Sequence, residues 1–384
     1  MNKNKMMKVY ADHAATTRLD SEALEAMLLF LTEEYGNASQ LYFFARKPKK
    51  ALQEARKIIA DCIGAEPSEI YFTSGGTESD NWAIKETMLA RGSGKIITSS
   101  IEHHAVLHSC KALERMGYTV EYLPVRSDGY VNVEWFEQHF PENVQLVSVM
   151  LANNEIGTIQ PIRELSQIAS ARGALFHTDA VQAVGHVPIN VKNLGVDFLS
   201  ASAHKFNGPK GTGFLYIREG CMENPYLDGG GQEKGLRAGT ENIAGIIGMA
   251  VALQKNCRML QENMDHLMKL EDQLLCCLKA YQLDFIRNGG TGDHIPGNLS
   301  LSFRGMEGEA MLHRLDLMGI CVSTGSACNS TSTELSHVLK AMGVPLEYAY
   351  GTIRISLGNE NTEEDVDTIA SALKKIVDQT RNNQ

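Results

Sequence analysis

Ala174-Leu175-Phe176-His177-Thr178-Asp179-Ala180-Val181-Gln182 and, further on, Val196-Asp197-Phe198-Leu199-Ser200-Ala201-Ser202-Ala203-His204-Lys205 share one pattern. Each opens as a short, largely apolar run, Ala174–His177 or Val196–Ser200, preceded by a helical pattern and followed by polar residues. Such runs read as buried parallel strands joined by helices, which makes the fold α/β. Asp179 and Lys205 then fall just past the carboxyl ends of two strands, the edge where open α/β sheets place their ligands. A lysine amine can hold an aldehyde, and a buried carboxylate can keep a pyridine nitrogen protonated. Pyridoxal phosphate needs both groups. Taken singly, Lys205 reads as a solvated loop lysine and Asp179 as a helix cap; the pair is what carries the signal.

Upstream, Tyr71-Phe72-Thr73 reads as the end of a strand and leads into Ser74-Gly75-Gly76-Thr77-Glu78-Ser79-Asp80-Asn81-Trp82. The glycines allow close backbone approach, and Thr77 opens a helix whose free N–H groups favour a phosphate. An ordinary capped strand-turn-helix junction has the same letters. His103 follows the strand Lys95–Thr98 and is placed to stack on a cofactor ring and carry protons near neutral pH. A metal site from His103, His104, His108 and Cys110 is the rival reading, but no Cys-x-x-Cys or His-Glu-x-x-His spacing supports it. Asn154, in the turn after the apolar strand Gln145–Met150, is within reach of a ring hydroxyl, although asparagine is common in such turns.

Far along the chain, Ser323-Thr324-Gly325-Ser326-Ala327-Cys328-Asn329-Ser330-Thr331-Ser332-Thr333 surrounds one cysteine with small residues. That composition suits an exposed, nucleophilic thiol, while a plain free cysteine in a loop is the alternative. Thr352-Ile353-Arg354-Ile355-Ser356-Leu357-Gly358 then reads as a strand in which one arginine interrupts the apolar run. Its planar fork suits a substrate carboxylate.

These segments together resemble the NifS/IscS-type cysteine desulfurases, pyridoxal-phosphate enzymes of the class V aminotransferase family. The resemblance runs from Tyr10-Ala11-Asp12-His13-Ala14-Ala15-Thr16-Thr17 to Arg354-Ile355-Ser356-Leu357-Gly358, with several unrelated motifs in the family's order. It implies that Lys205 holds the cofactor aldehyde, Asp179 pairs with the ring nitrogen, His103 stacks on the ring, and Asn154 and Gln182 contact the ring hydroxyl. Gly76, Thr77, Ser202 and His204 hold the phosphate, joined by a threonine of the neighbouring subunit whose counterpart is Thr240. A homodimer with shared sites follows. Cys328 matches the persulfide-forming cysteine, in the Gly325-Ser326-Ala327-Cys328 form of the NifS/IscS group; the SufS-like motif fits less well. Arg354, with Asn154, takes the carboxylate of L-cysteine, Lys205 removes the α-proton, and Cys328 accepts the sulfur for delivery to an acceptor such as an iron–sulfur scaffold protein. A selenocysteine lyase or other β-lyase on the same fold, or a non-catalytic scaffold subunit, are the competing readings.

The chain departs from the family at Gly36-Asn37-Ala38-Ser39, which lacks a proline, at Tyr42 in place of a histidine, and at Gln232 and Lys234 in place of histidine and arginine. None of these is a group needed for bond cleavage. The sequence ends at Gln384, where relatives often carry a longer tail that helps to dock a scaffold. At 384 residues and 43% hydrophobic content, the chain can bury one large core and a smaller one. Alternating strands and helices from Ile70 to Ile217 mark a large cofactor-binding domain, 17–255. A second pattern, strand Asn298–Phe303, helix from Glu307, the cysteine loop, strand Thr352–Ser356 and helix from Thr362, marks a small α/β domain formed by 1–16 and 256–384. Eight cysteines without regular spacing and the absence of a signal peptide point to a reducing, cytoplasmic setting. The longest apolar stretch, Ile243–Leu253, falls well short of the roughly 20 residues that span a bilayer. A formal charge of −10 argues against nonspecific nucleic-acid binding.

Overall fold

The computed structural model describes residues 9–222, 224–325 and 335–382. Its strands, in chain order, are β1 (Val9–Tyr10), β2 (Ile70–Thr73), β3 (Lys95–Ser99), β4 (Thr119–Leu123), β5 (Val144–Ser148), β6 (Leu175–Asp179), β7 (Phe198–Ser202), β8 (Gly213–Ile217), β9 (Phe285–Asn288), β10 (Asn298–Phe303), β11 (Ile320–Cys321) and β12 (Thr352–Ser356). The main sheet has seven strands in the order β2-β8-β7-β6-β5-β3-β4. β7, β6, β5, β3 and β4 pair in parallel, and β8 runs antiparallel to both β7 and β2. Two antiparallel steps restore the direction of β7 in β2. The carboxyl ends of β2, β3, β5, β6 and β7 therefore share one edge, and the sheet is mostly parallel, as the sequence pattern predicts.

Helices Gly76–Arg91, His104–Arg115 and Ile162–Ala171 make the crossovers after β2, β3 and β5. Covered on both faces, the strands carry apolar residues at successive positions: Phe198 and Leu199 of β7 are both fully buried, each worth about 1.5–3 kcal/mol in burial. The helix Arg46–Ile63 shows the other period, burying Leu52, Ala55, Ile59 and Ile63 along one face.

β6 and β7 are each displaced from the apolar runs read in the sequence. Asp179 is the last residue of β6 rather than a residue past its end, and β7 runs Phe198–Ser202 rather than starting at Val196. The Asp197 carboxylate accepts from the Phe176 backbone N–H at 2.7 Å and from Arg218 Nε at 2.6 Å.

A second core surrounds the antiparallel sheet β12-β10-β9. Leu299, Phe303, Ile353 and Ile355 pack there with Leu270 and Leu274 of the helix Leu260–Ala280 and with Ile369 and Leu373 of the helix Glu363–Arg381. Thr362 and Asp365 cap that last helix reciprocally. β1 pairs in parallel with β11 and buries Val9 and Ala11 in the same core. Beyond β1 the chain runs beside β12, bridging at Asp12 and Ser356, and then crosses to the main sheet, where the Thr17 N–H and hydroxyl both donate to the His204 carbonyl. Among the described residues, no helix is long and apolar enough to cross a membrane.

Candidate active site

The shared strand edge and the crossing N-terminal segment enclose a cavity of about 340 Å³. Gly76, Thr77, His103, Asn154, Asp179, Gln182, Ser202, His204, Lys205 and Arg354 all line it. A cavity of this volume sits at the lower end of the range for small-molecule sites. Thr240 is exposed and does not line it, and Cys328 lies outside the described residues, although Gly325 is part of the cavity wall. A neighbouring cavity of about 350 Å³ also touches Gly325, but among the described residues it is lined by no lysine, arginine or histidine.

Lys205 ends the short turn Ala203–Lys205 that follows β7. Its Nζ donates to the carbonyls of Ala14, at 2.6 Å, and Ala15, at 2.9 Å. Those two carbonyls hold the ammonium at the cavity wall. Gln182 Nε2 donates to the same Ala14 carbonyl at 3.0 Å, so one backbone group aligns both side chains.

Asp179 is buried, and its Oδ1 accepts from the Val181 N–H at 2.9 Å. Burial, reinforced by the nearby Asp80 carboxylate, pushes its carboxyl up to about 7, while the Val181 N–H, His177 and Lys205 pull the other way. Asp80, in the helix Gly76–Arg91, also lines the cavity, and burial pushes its carboxyl up to about 7. Beneath the pair lies His177, with Ser148 Oγ 2.8 Å from Nδ1, Ser200 Oγ 3.0 Å from Nε2, and Asp80 Oδ1 3.5 Å from Nε2. Burial drives His177 down to about 4. The floor of the cavity is thus desolvated and poor in positive charge, an environment that a protonated heterocyclic nitrogen would relieve.

His103 caps the helix His104–Arg115, accepting the Ala105 N–H on Nδ1 at 3.1 Å. An accepting Nδ1 leaves the ring proton on Nε2. Burial first, and the Lys205 charge second, push this histidine down to about 4, so it is neutral at physiological pH. Opposite, the helix Gly76–Arg91 presents its N-terminal N–H groups beside Ser202 and His204. Gly75 precedes that helix at φ 152°, a backbone position that favours glycine. His204 Nδ1 lies 3.1 Å from Thr16 Oγ1, and burial together with Lys205 and Lys210 lowers it to about 4.

Arg354, at the centre of β12, is buried. It pairs with Asp12 Oδ1 through one amino group at 2.7 Å and donates to the Asn154 carbonyl from the other at 3.1 Å. Its Nε has no partner among the described residues. A buried guanidinium with an unused donor at a cavity wall is suited to an anion.

Sequence reading missed Asp80, the carbonyls of Ala14 and Ala15, and the floor built from His177, Ser148 and Ser200. Asp80 lies within the quoted Ser79-Asp80-Asn81 stretch but looks there like an ordinary solvated acid near the start of a helix. The carbonyls have no side-chain signature. Among the described residues, no group of three or more His, Cys, Asp or Glu is arranged to hold a metal ion.

The model of the family Aminotransferase class-V matches residues 9–369. A curated relative, "Cysteine desulfurase IscS" of Methanosarcina thermophila, is 50% identical over 376 residues, covering 97% of this chain and 93% of its own. A solved structure described as a NifS-like protein superimposes with a TM-score of 0.91 at 41% identity, covering 97% of this chain and 100% of its own. Another, described as SspA in complex with cysteine, gives 0.82 at 35% identity and covers 92% of this chain and 100% of its own.

Proposed function

The chain belongs to the aminotransferase class-V family and, within it, to the cysteine desulfurases, and on that premise we propose that its cavity takes pyridoxal phosphate and L-cysteine and that Cys328 carries the sulfur away. The observation that carries this reading is the pairing of Lys205 and Asp179 at adjacent strand ends of one cavity that Arg354 also lines.

The residues fit the group. The helix N-terminus at Gly76 and Thr77, with Ser202 and His204, suits a phosphate; Asp179 suits the ring nitrogen, Asn154 and Gln182 the ring hydroxyl, and His103 the ring face. Arg354 Nε, which has no hydrogen-bond partner among the described residues, is a buried polar atom of the kind an anionic ligand satisfies. Bound there, pyridoxal phosphate supplies an electrophilic aldehyde and an electron-accepting ring.

Arg354 holds the substrate carboxylate, and the neutral Lys205 amine removes the α-proton. The Lys205 charge is one of the causes that hold His103 low, so discharge of Lys205 raises the basicity of His103. That rise suits His103 to carry a proton during the reaction. The Cys328 thiolate attacks the substrate sulfur: an S–S bond forms, the C–S bond breaks, and the carbon gains a proton. L-cysteine and the thiol become L-alanine and a Cys328 persulfide. That sulfur goes on to an acceptor such as an iron–sulfur scaffold protein, in the cytoplasm, where a thiol persists.

A homodimer, with Thr240 reaching the phosphate of the second copy, is supported by an apolar surface on and after the helix Ser21–Thr32. Leu31, Tyr35, Leu41 and Phe43 are 58%, 70%, 94% and 77% exposed, which is unusual for large apolar side chains in a monomer. The reading keeps residues 17–255 as the cofactor-binding domain and 1–16 with 256–384 as the small one. Alanine release from L-cysteine by the cofactor-loaded protein tests it: the parent turns over, while Lys205→Ala and Cys328→Ala do not. Turnover by Cys328→Ala at the parent rate sinks the thiol role, and an inactive parent sinks the reading.

A further inference from the structure

The turn that follows β1 touches both halves of the cavity. Asp12 pairs with Arg354 at 2.7 Å, while further along the same turn the Ala14 and Ala15 carbonyls accept from Lys205. The turn is closed on itself. The Ala15 N–H donates to the Asp12 carbonyl at 3.0 Å, and the Tyr10 hydroxyl is shared between the carbonyls of Asp12, at 3.1 Å, and Thr16, at 2.8 Å. It is also fixed at both ends. The Ala14 N–H donates to Ser356 Oγ at 2.9 Å, in the same strand as Arg354, and the Thr17 N–H donates at 2.9 Å to the carbonyl of His204, the neighbour of Lys205. Asp12 is no part of the cavity wall, but its side chain is only 19% exposed, beside 5% for Arg354. The nearby Glu155 carboxyl is taken by the Ser336 hydroxyl at 2.6 Å, and Asp12 is the acid that bonds the guanidinium.

We infer that Asp12 is a positioning residue: it fixes the plane of the Arg354 fork before substrate arrives, from the same turn that meets Lys205. The carboxylate and the α-proton of one amino acid are thereby presented together to the guanidinium and to the amine. The inference rests on the carboxylate role proposed for Arg354. An arginine side chain has several rotatable bonds, and a ligand that must order them loses affinity in doing so. With Asp12 on one amino group and the Asn154 carbonyl on the other, that ordering is already done. Without the acid, a buried guanidinium loses its charge partner and is free to turn toward Glu155, whose carboxyl feels the Arg354 charge.

The test measures, from the shift of the cofactor absorbance band, how tightly the cofactor-loaded protein binds L-alanine and ethylamine, which differ only by the carboxylate. Neither ligand carries sulfur, so the result does not depend on Cys328. Parent, Asp12→Ala, Asp12→Asn and Arg354→Lys are compared, with KM for L-cysteine taken alongside. Asp12→Ala should lower the preference for L-alanine over ethylamine by roughly tenfold, the worth of one charge-assisted hydrogen bond, and raise KM by a like factor. Asp12→Asn, which keeps an acceptor at the same place, should recover most of the preference. An unchanged or increased preference in Asp12→Ala overturns the positioning role. So does an equal loss of both ligands, which would make Asp12 a plain structural support, and so do equal losses in Asp12→Ala and Asp12→Asn, which would make charge alone the cause. Where Asp12→Ala does not fold or hold cofactor, Asp12→Glu, which keeps the charge but displaces it by a methylene, decides: a lowered preference upholds the role and a parent preference overturns it. Arg354→Lys separates the two readings. If it keeps the parent preference, the carboxylate contact falls and the inference with it; if it loses the preference while Asp12→Ala keeps it, only the role of Asp12 falls.

Discussion

Arg354→Lys keeps the positive charge at the centre of β12 but removes the fork. Arg354 already gives one amino group to Asp12 at 2.7 Å and the other to the Asn154 carbonyl at 3.1 Å, which leaves Nε as a buried donor. A lysine ammonium is a point charge that can satisfy Asp12 but cannot also grip the carbonyl and a substrate carboxylate in one plane. The lost term is one hydrogen bond to a charged group, about 1.5–3 kcal/mol. At about 1.4 kcal/mol per tenfold, this lowers kcat/KM by a factor of ~10 to ~150. The loss should fall on KM, because the carboxylate is bound before and during the reaction alike. Initial rates of alanine release against L-cysteine concentration give both constants, and the cofactor absorbance band checks that the cavity is intact. Cysteamine, which lacks the carboxylate, supplies the control: the parent should bind L-cysteine far better, and Arg354→Lys should lose most of that preference. A variant that keeps both its kcat/KM and its preference for L-cysteine would refute a carboxylate contact at Arg354.

Gly213→Ala would set a Cβ 2.5 Å from the Ala201 carbonyl and 2.6 Å from Gly75 Cα. Neither backbone can yield cheaply, so stability should fall by about 1–3 kcal/mol. Cofactor affinity should fall with it, and a variant melting with the parent and holding cofactor equally well contradicts the packing described. Asp80→Asn removes a like charge that raises the Asp179 carboxyl. Cofactor binding, followed by absorbance during acidification, should then persist to lower pH than in the parent; an unmoved midpoint means the two carboxyls are not coupled. In the cofactor-free protein, Asp80, Asp179 and Glu155 are raised to about 7 and Glu102 to about 8. Their folded forms hold protons that the unfolded chain has already released, so this stabilisation is lost as pH rises through those values. His103, His177 and His204, lowered to about 4 from 6.5, act oppositely, costing stability only as pH falls below 6.5. From pH 6.5 to about 8 these carboxyls, joined by His294, which its hydrogen bond to Glu271 raises, should govern, and the melting temperature should drop. A flat or rising profile over that window rules out this set of buried acids.

Legibility in the sequence followed the kind of signal each residue leaves. Lys205 and Asp179 were readable because a reactive side chain next to a buried strand is a local pattern, and the adjacent Phe198 and Leu199 that open β7 announce a strand covered on both faces. The two-residue displacement of β7 arose because an aspartate looks the same inside and outside a strand; only the Phe176 N–H and Arg218, supplied by distant parts of the chain, explain where Asp197 sits. Asp80 and Glu155 were illegible for a related reason. Each resembles a solvated acid in a helix or turn, and each is buried against residues distant in the chain, Asp80 beside His177 and Glu155 beside Ser336. The walls made by the Ala14 and Ala15 carbonyls leave no side-chain trace at all.

The central claim is that sulfur leaves L-cysteine by way of Cys328. The most direct measurement is the mass of the proteolytic peptide containing Cys328, taken after the cofactor-loaded enzyme is mixed with L-cysteine without reductant and trapped with an alkylating agent. The account predicts a gain of one sulfur atom on Cys328, formed in step with alanine and absent from Lys205→Ala. Alanine released with no added sulfur on Cys328, or sulfur found on another cysteine instead, would contradict it.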